Sequence, residues 1–456
     1  MNENRTIQGI WFLPNKQESA VGGVLSYNRQ DGCRLELLEQ TMNDTLNSKD
    51  IDIILGVTSE GNSATLLQCS RVLRSTNIKG IEIVKYRIQF VLLGHHYLNK
   101  EEIIFDKLKA SIADLGTWVG IYGFTKLDVL TKKFAVDIKY QMPEEFYFEI
   151  PNNLKVGFEF DASSTWIKET ENAEINQKAF TTISATDFIT LEKMLSNFYT
   201  LYKFFSLSYY DAPPLLSLYL LNSKMTNELN ADYPFRVEVL YHDNFYNAKY
   251  KSDKKPHDFL FRYNDISNIF PMVIDRWFHL FGKMEPSINL LNELLMKRGL
   301  TVEVQFLISI QAVETFHRNI FGGRMIPEEE HQRRINAIIE SVPPEHKIWL
   351  KEWLRFSNEP NLRKRLLDIY KRLPEEIIKE LIKDKNGFIN DVVNTRNYYT
   401  HYDTFMKNKI MNFKSVFSAI QKLKIFLICS ILNELGFTKE QTINAMKLYM
   451  VYPYLE

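Results

Sequence analysis

The sequence predicts an α+β multidomain protein: a β-rich N-terminal domain, a mixed linker region, and a C-terminal all-α bundle. Three observations carry this. Over residues 1–165, short apolar runs alternate with turn residues, as strands do. From residue 266 the apolar stretches lengthen and lie between helix start and stop signals. The chain of 456 residues also exceeds what one core usually serves.

The expected elements follow in order. Strand candidates begin at Gly9-Ile10-Trp11-Phe12, at Gly22-Gly23-Val24-Leu25 and at Arg34-Leu35-Glu36-Leu37. More lie at 53–57, 65–67, 81–84 and 86–93. Residues 105–115 fit a strand or a short helix. Strands are expected again at 118–124, 134–140, 146–150 and 154–160. The region 166–265 reads as mixed α/β: 185–206 begins as strand and turns to helix, 235–241 is a strand, and 244–255 is a polar loop. Within 266–456, helices are expected at 269–282, 287–295 and 302–320. Gly322-Gly323 stops the last of these. Pro327 with three following glutamates starts another. Further helices fall near 345–357, 361–373, 375–383, 388–402 and 416–435, with 438–446 closing the bundle.

Composition narrows the class. Hydrophobic residues make up 45% and charged residues 25%, and formal net charge is zero. That balance argues against a general coater of duplex DNA but leaves room for a local RNA-binding patch. Cys33, Cys69 and Cys429 are too far apart for a disulfide framework or a zinc cluster, so a reducing cytoplasm is expected. The N-terminus shows no signal-peptide pattern, and apolar runs such as 425–432 are too short to span a bilayer. No membrane, metal or cofactor is expected. His95 and His96 are neighbours on a predicted strand and point to opposite faces, so they are poorly placed for joint action.

The chemistry concentrates in Arg396-Asn397-Tyr398-Tyr399-Thr400-His401. Arg396 is a permanent cation for a phosphate, and His401 exchanges protons near neutral pH. Asn397 lies four residues before His401, on the same helix face. Arg396 lies five before it, rotated by roughly 140° in a regular helix. A kink near Thr400, termination at His401, or a second copy across a two-fold axis closes that gap. Tyr398 and Tyr402 are candidates for stacking on bases, or for dimer or core contacts. Between Asp403 and Glu434 there is no acid, while Lys407, Lys409, Lys422 and Lys424 occur. That run suits phosphate, or a solvated helix face. Taken alone, Arg-x4-His also fits a helix-end histidine beside a surface arginine.

Residues 390–402 resemble the signature helix of HEPN domains, and in particular that of the ApeA family of bacterial antiphage proteins. Residues 310–318 are similar to that family's first long HEPN helix. Gly9-x-Trp11 and the Gly22-Gly23-Val24-Leu25 strand entry are similar to its N-terminal domain. The resemblance implies a helical bundle that dimerises and joins two Arg-His elements in one cleft. It implies a metal-independent endoribonuclease for abortive defence, restrained until a phage-derived trigger arrives. Transfer RNA is the substrate class it suggests. Arg396, Asn397 and His401 map to the family's catalytic positions. Glu314 maps to a supporting acid, or else pairs with Arg318 four residues on. His317 reads as structural. The competing reading is a non-catalytic RNA- or protein-binding module that dimerises.

Overall fold

The computed structural model describes residues 4–40, 48–76, 81–130, 135–166, 173–226, 234–242, 250–296, 299–402 and 404–450. It divides into two units, Met1–Asp265 and Ile266–Glu456.

The first unit opens with six strands: β1 (Asn4–Phe12), β2 (Val21–Asn28), β3 (Gly32–Gln40), β4 (Asp50–Thr58), β5 (Ser63–Thr76) and β6 (Ile81–Leu93). Their antiparallel order is β6-β3-β2-β1-β4-β5, and β5 pairs back onto β6, which closes a barrel. Closure removes free edges. Alternation places Trp11, Leu25, Leu35, Ile54, Leu66, Tyr86 and Val91 in the barrel core. Gly56 leaves room there: a Cβ would meet the Trp11 ring at 2.2 Å.

Strand β6 serves two partners along one edge. Residues 81–88 pair with β3, and Phe90–Leu93 pair with the last strand of the unit. From there the sheet continues in the order β14 (Pro234–Tyr241), β13 (Leu215–Thr226), β7 (Ile104–Ile112), β12 (Ala173–Thr190), β11 (Leu154–Trp166) and β10 (Phe146–Ile150). A separate hairpin holds β8 (Phe124–Leu130) and β9 (Ala135–Tyr140). Helix α2 (Leu191–Tyr209) follows β12 directly, capped by Thr190, whose hydroxyl accepts from the Lys193 amide. It buries Phe198, Leu201, Phe204 and Phe205. The region 166–265 is mixed, as expected, but β12, β13 and β14 are hydrogen-bonded into the N-terminal sheet, so residue 165 is not a unit boundary. Residues 118–123, expected as part of a strand, are not one. Asp114 and Gly120, both at positive φ, bracket a single helical turn, α1 (Leu115–Val119). It buries Trp118, whose indole N–H donates to Phe261 O at 2.9 Å. Of the expected polar loop, residues 244–249 lie outside the described residues.

After the short turn α3 (Tyr263–Ile266), the second unit is helical throughout: α4 (Phe270–Leu295), α5 (Val302–Phe321), α6 (Glu328–Glu340), α7 (Pro344–Leu354), α8 (Leu362–Tyr370), α9 (Glu375–Leu381), α10 (Lys385–His401), α11 (Phe413–Leu435) and α12 (Lys439–Met450). Two expected helices, 269–282 and 287–295, are one. Pro286 lies inside α4. A proline costs a helix one hydrogen bond, but the apolar stripe from Phe270 through Trp277 and Met284 to Leu291 is buried on both sides of it. Helix α5 packs against α4, α8, α10 and α11. Helix α11 is long and apolar enough to cross a membrane, which corrects the expectation of short runs, yet 72% of its apolar window is buried in the bundle. It ends at Gly436, at φ 93, in the left-handed conformation that favours glycine.

Candidate active site

The last two turns of α10 carry the candidate residues Arg396, Asn397 and His401. Helix α10 starts at an Asp384 cap, whose carboxylate accepts from the Asn386 and Gly387 amides. It ends at His401 because Tyr402 turns left-handed, at φ 50. The termination considered from the sequence is therefore present. Thr400 Oγ1 donates to Arg396 O at 2.8 Å. Thr395 is fully buried and its hydroxyl accepts from the Met411 amide at 3.0 Å. This fixes the returning chain beside the helix end.

Arg396 is half-buried. Its Nη1 donates to Asn397 Oδ1 at 3.3 Å, and its Nη2 lies 3.7 Å from Glu314 Oε2 on α5. The Glu314 alternatives are thus separated: Arg318 pairs instead with Glu359, at 3.1 Å. His401 is exposed, and among the described residues no hydrogen bond joins it to Arg396. The structure therefore brings Arg396, Asn397 and Glu314 together and leaves the imidazole open at the helix end.

Behind Glu314 lies a polar network that the sequence does not announce. Arg365 of α8 is buried, and Nη1 donates to His317 Nδ1 at 3.2 Å. With Nδ1 accepting, His317 Nε2 carries the proton and faces Asp368 Oδ2 at 3.4 Å. Burial lowers the His317 pKa, helped by Arg365 and opposed by Asp368. Burial also lowers the Arg365 pKa, while Glu314 and Glu359 oppose it. Glu314 thus interacts with two arginines, Arg396 at the surface and Arg365 beneath. The structural reading of His317 fits this placement.

The tyrosines divide. Tyr399 packs its ring 6.0 Å from Phe306 and serves the bundle. Tyr398 and Tyr402 lie 5.7 Å apart, and Tyr402 is 67% exposed. The lysines divide too. Lys407 and Lys409 are exposed on the turn Thr404–Lys409 that follows α10. Lys422 is half-buried, with Nζ 5.7 Å from the Phe388 ring. Lys424 is half-buried, and burial lowers its pKa to about 8. Lys422 and Lys424 are thus less open to solvent than Lys407 and Lys409.

Elsewhere, His96 Nε2 donates to Gly56 O at 2.7 Å, and His95 stacks edge-on against Tyr97. Among the described residues no three His, Cys, Asp or Glu side chains gather as a metal-ligand group.

The sequence model described as ApeA N-terminal domain 1 matches residues 6–277, more than half of the chain, and that described as Apea-like HEPN matches residues 307–441.

The chain belongs to the ApeA family.

The HEPN match contains Glu314, Arg365, Arg396 and His401, so the geometry above lies within the HEPN domain. This places the second unit among RNA-binding and nuclease domains of the antiphage HEPN class. No curated protein and no solved structure matches the chain.

Proposed function

We propose that this protein is a metal-independent endoribonuclease of an antiphage defence system, restrained until infection. The observation that supports it most is Arg396 held by Glu314 one turn before an exposed His401. The side chains supply what RNA self-cleavage needs. His401 takes the proton from the ribose 2′-hydroxyl. The 2′-oxygen bonds to phosphorus and the P–O5′ bond breaks. A proton passes to O5′, leaving a 2′,3′-cyclic phosphate and a 5′-hydroxyl. Arg396 neutralises the charge that builds on the phosphate oxygens. With Oδ1 facing Arg396, the Asn397 amide N–H groups are left for a phosphate oxygen. DNA lacks the nucleophile and is excluded.

A second copy of the chain completes the cleft in this reading. One histidine serves one proton transfer at a time, and a two-fold dimer supplies two. Tyr402, Phe413 and Phe417 are large exposed apolar side chains around the helix end, as an interface requires. Lys407 and Lys409 flank it for the RNA backbone. Structured cellular RNA such as transfer RNA is the proposed substrate, in the cytoplasm. The N-terminal unit receives the phage-derived trigger.

The test is cleavage of total cellular RNA, with a matched DNA control, in chelator, by wild type and His401→Ala. With extract of phage-infected cells added to lift the restraint, RNA products from wild type alone, ending in cyclic phosphate, are expected. Cleavage of DNA, or a requirement for divalent metal, overturns the proposal.

A further inference from the structure

The N-terminal unit holds a cleft of about 510 Å³ between the outer face of β5 and β6 and the helix α2. That volume falls in the range of roughly 300–1,000 Å³ typical of small-molecule sites. Three features give it a chemical character.

The first is an unbalanced cation. Arg87 lines the cleft and stands opposite Arg34 in the β3–β6 register. Both are exposed on the outside of the barrel, and like charges directly opposite repel. Among the described residues neither has a carboxylate partner. Arg5, on another part of the same barrel, shows the contrast: Glu238 holds it with two hydrogen bonds, at 2.8 and 2.9 Å.

The second is backbone strain. Gln68 lies within β5 at φ 54 and drops out of the pairings on both sides, which run from Leu67 to Cys69. A residue with a Cβ adopts that conformation at a cost. It is tolerated where side-chain placement matters, and the Gln68 side chain lines the cleft.

The third is a set of flat walls. Phe198, Tyr199, Phe90 and Tyr241 line the cleft, and the last two rings lie 6.1 Å apart.

We propose that this cleft binds a nucleoside phosphate. The arginine fork of Arg87 matches phosphate, and the Arg34 charge opposite it on β3 adds to the positive field. The base lies between the aromatic walls, and the Gln68 amide, both donor and acceptor, reads its polar edge. The inference stands apart from the ribonuclease reading, because no residue is shared.

Calorimetric titration of the full chain tests it, using nucleoside mono-, di- and triphosphates of all four bases, the matching nucleosides, and inorganic phosphate. At least one nucleotide is expected to bind, with its nucleoside and phosphate about tenfold weaker or more. Arg87→Gln is expected to weaken it about tenfold, and Ser70→Trp, which fills the cleft from an exposed strand position, to abolish it. Both variants are expected to melt like wild type. The proposal is overturned if no nucleotide binds at millimolar concentration, if phosphate alone binds as well, or if affinity survives both folded substitutions.

Discussion

Arg396 and Glu314 meet across two helices that lie far apart in the sequence, Nη2 3.7 Å from Oε2. Both side chains are about one-third exposed, 34% and 27%, so the pair adds little to stability. Its effect is on position. Glu314 restricts where a long and otherwise mobile guanidinium is found, while leaving part of it open to a ligand.

Arg396→Ala is expected to lower single-turnover RNA cleavage by about 10²–10³-fold, the scale of a lost charge-stabilising donor. Glu314→Gln is expected to cost about tenfold, with stability changed by less than about 1 kcal/mol. Wild-type cleavage by Glu314→Gln shows that the carboxylate does not position the arginine.

His401→Ala is expected to reduce cleavage by about 10²–10⁴-fold, the usual contribution of a positioned acid or base. The side chain is exposed at the helix end, so the thermal midpoint and the oligomeric state are expected to remain those of wild type. Scanning calorimetry and light scattering on the same preparation separate lost chemistry from lost folding.

The lysines are expected to behave as two classes. Replacing Lys407 and Lys409 by Gln is expected to weaken RNA binding and to reduce the salt slope of log K by about 0.7 per lost phosphate contact. Lys424→Met is expected to leave RNA affinity unchanged and to stabilise the fold. Its native pKa of about 8 lies below the ordinary value, so the protonated form opposes folding. That penalty is full below pH 8 and fades as pH rises towards the unfolded value. Urea titrations at pH 7 and pH 10 are expected to show a smaller difference between Lys424→Met and wild type at the higher pH.

The His317 network is expected to give acid sensitivity. Burial holds the native His317 pKa below its ordinary 6.5, so the unfolded chain binds the proton first. Stability from the neutral imidazole is fully present above pH 6.5 and is lost as pH falls through the native value. His317→Gln is expected to flatten this part of the profile. Arg365→Ala is expected to destabilise by about 3 kcal/mol, since it breaks a buried polar cluster on one side. Unfolding curves between pH 5 and pH 8 check both.

Much of this was legible in the sequence because it is local. The strand runs, the Pro327 start, the Gly322 stop and the Arg-His spacing depend on neighbours within a few residues. The fold class and the family resemblance rest on such patterns. Local rules failed where packing outweighed them. Residues 269–282 and 287–295 read as two helices, yet α4 runs through Pro286 because its apolar stripe is buried on both sides. Residues 118–124 read as a strand, yet Trp118 and Val119 end a helical turn that left-handed Asp114 and Gly120 bracket, and the strand begins only at Phe124.

Which chemical groups the protein has, and on which helix they ride, follows from the order of its residues. Tertiary structure alone decided that Glu314 meets Arg396 rather than Arg318, and that Arg365 and His317 are buried behind it. It also decided that Lys422 and Lys424 are half-buried while Lys407 and Lys409 stay in solvent. The physical reason is one of range. Helix and strand signals arise from steric and hydrogen-bonding preferences a few residues long. The ionic contacts of the site depend on how α5, α8 and α10 pack, which is fixed by apolar side chains spread across the whole bundle.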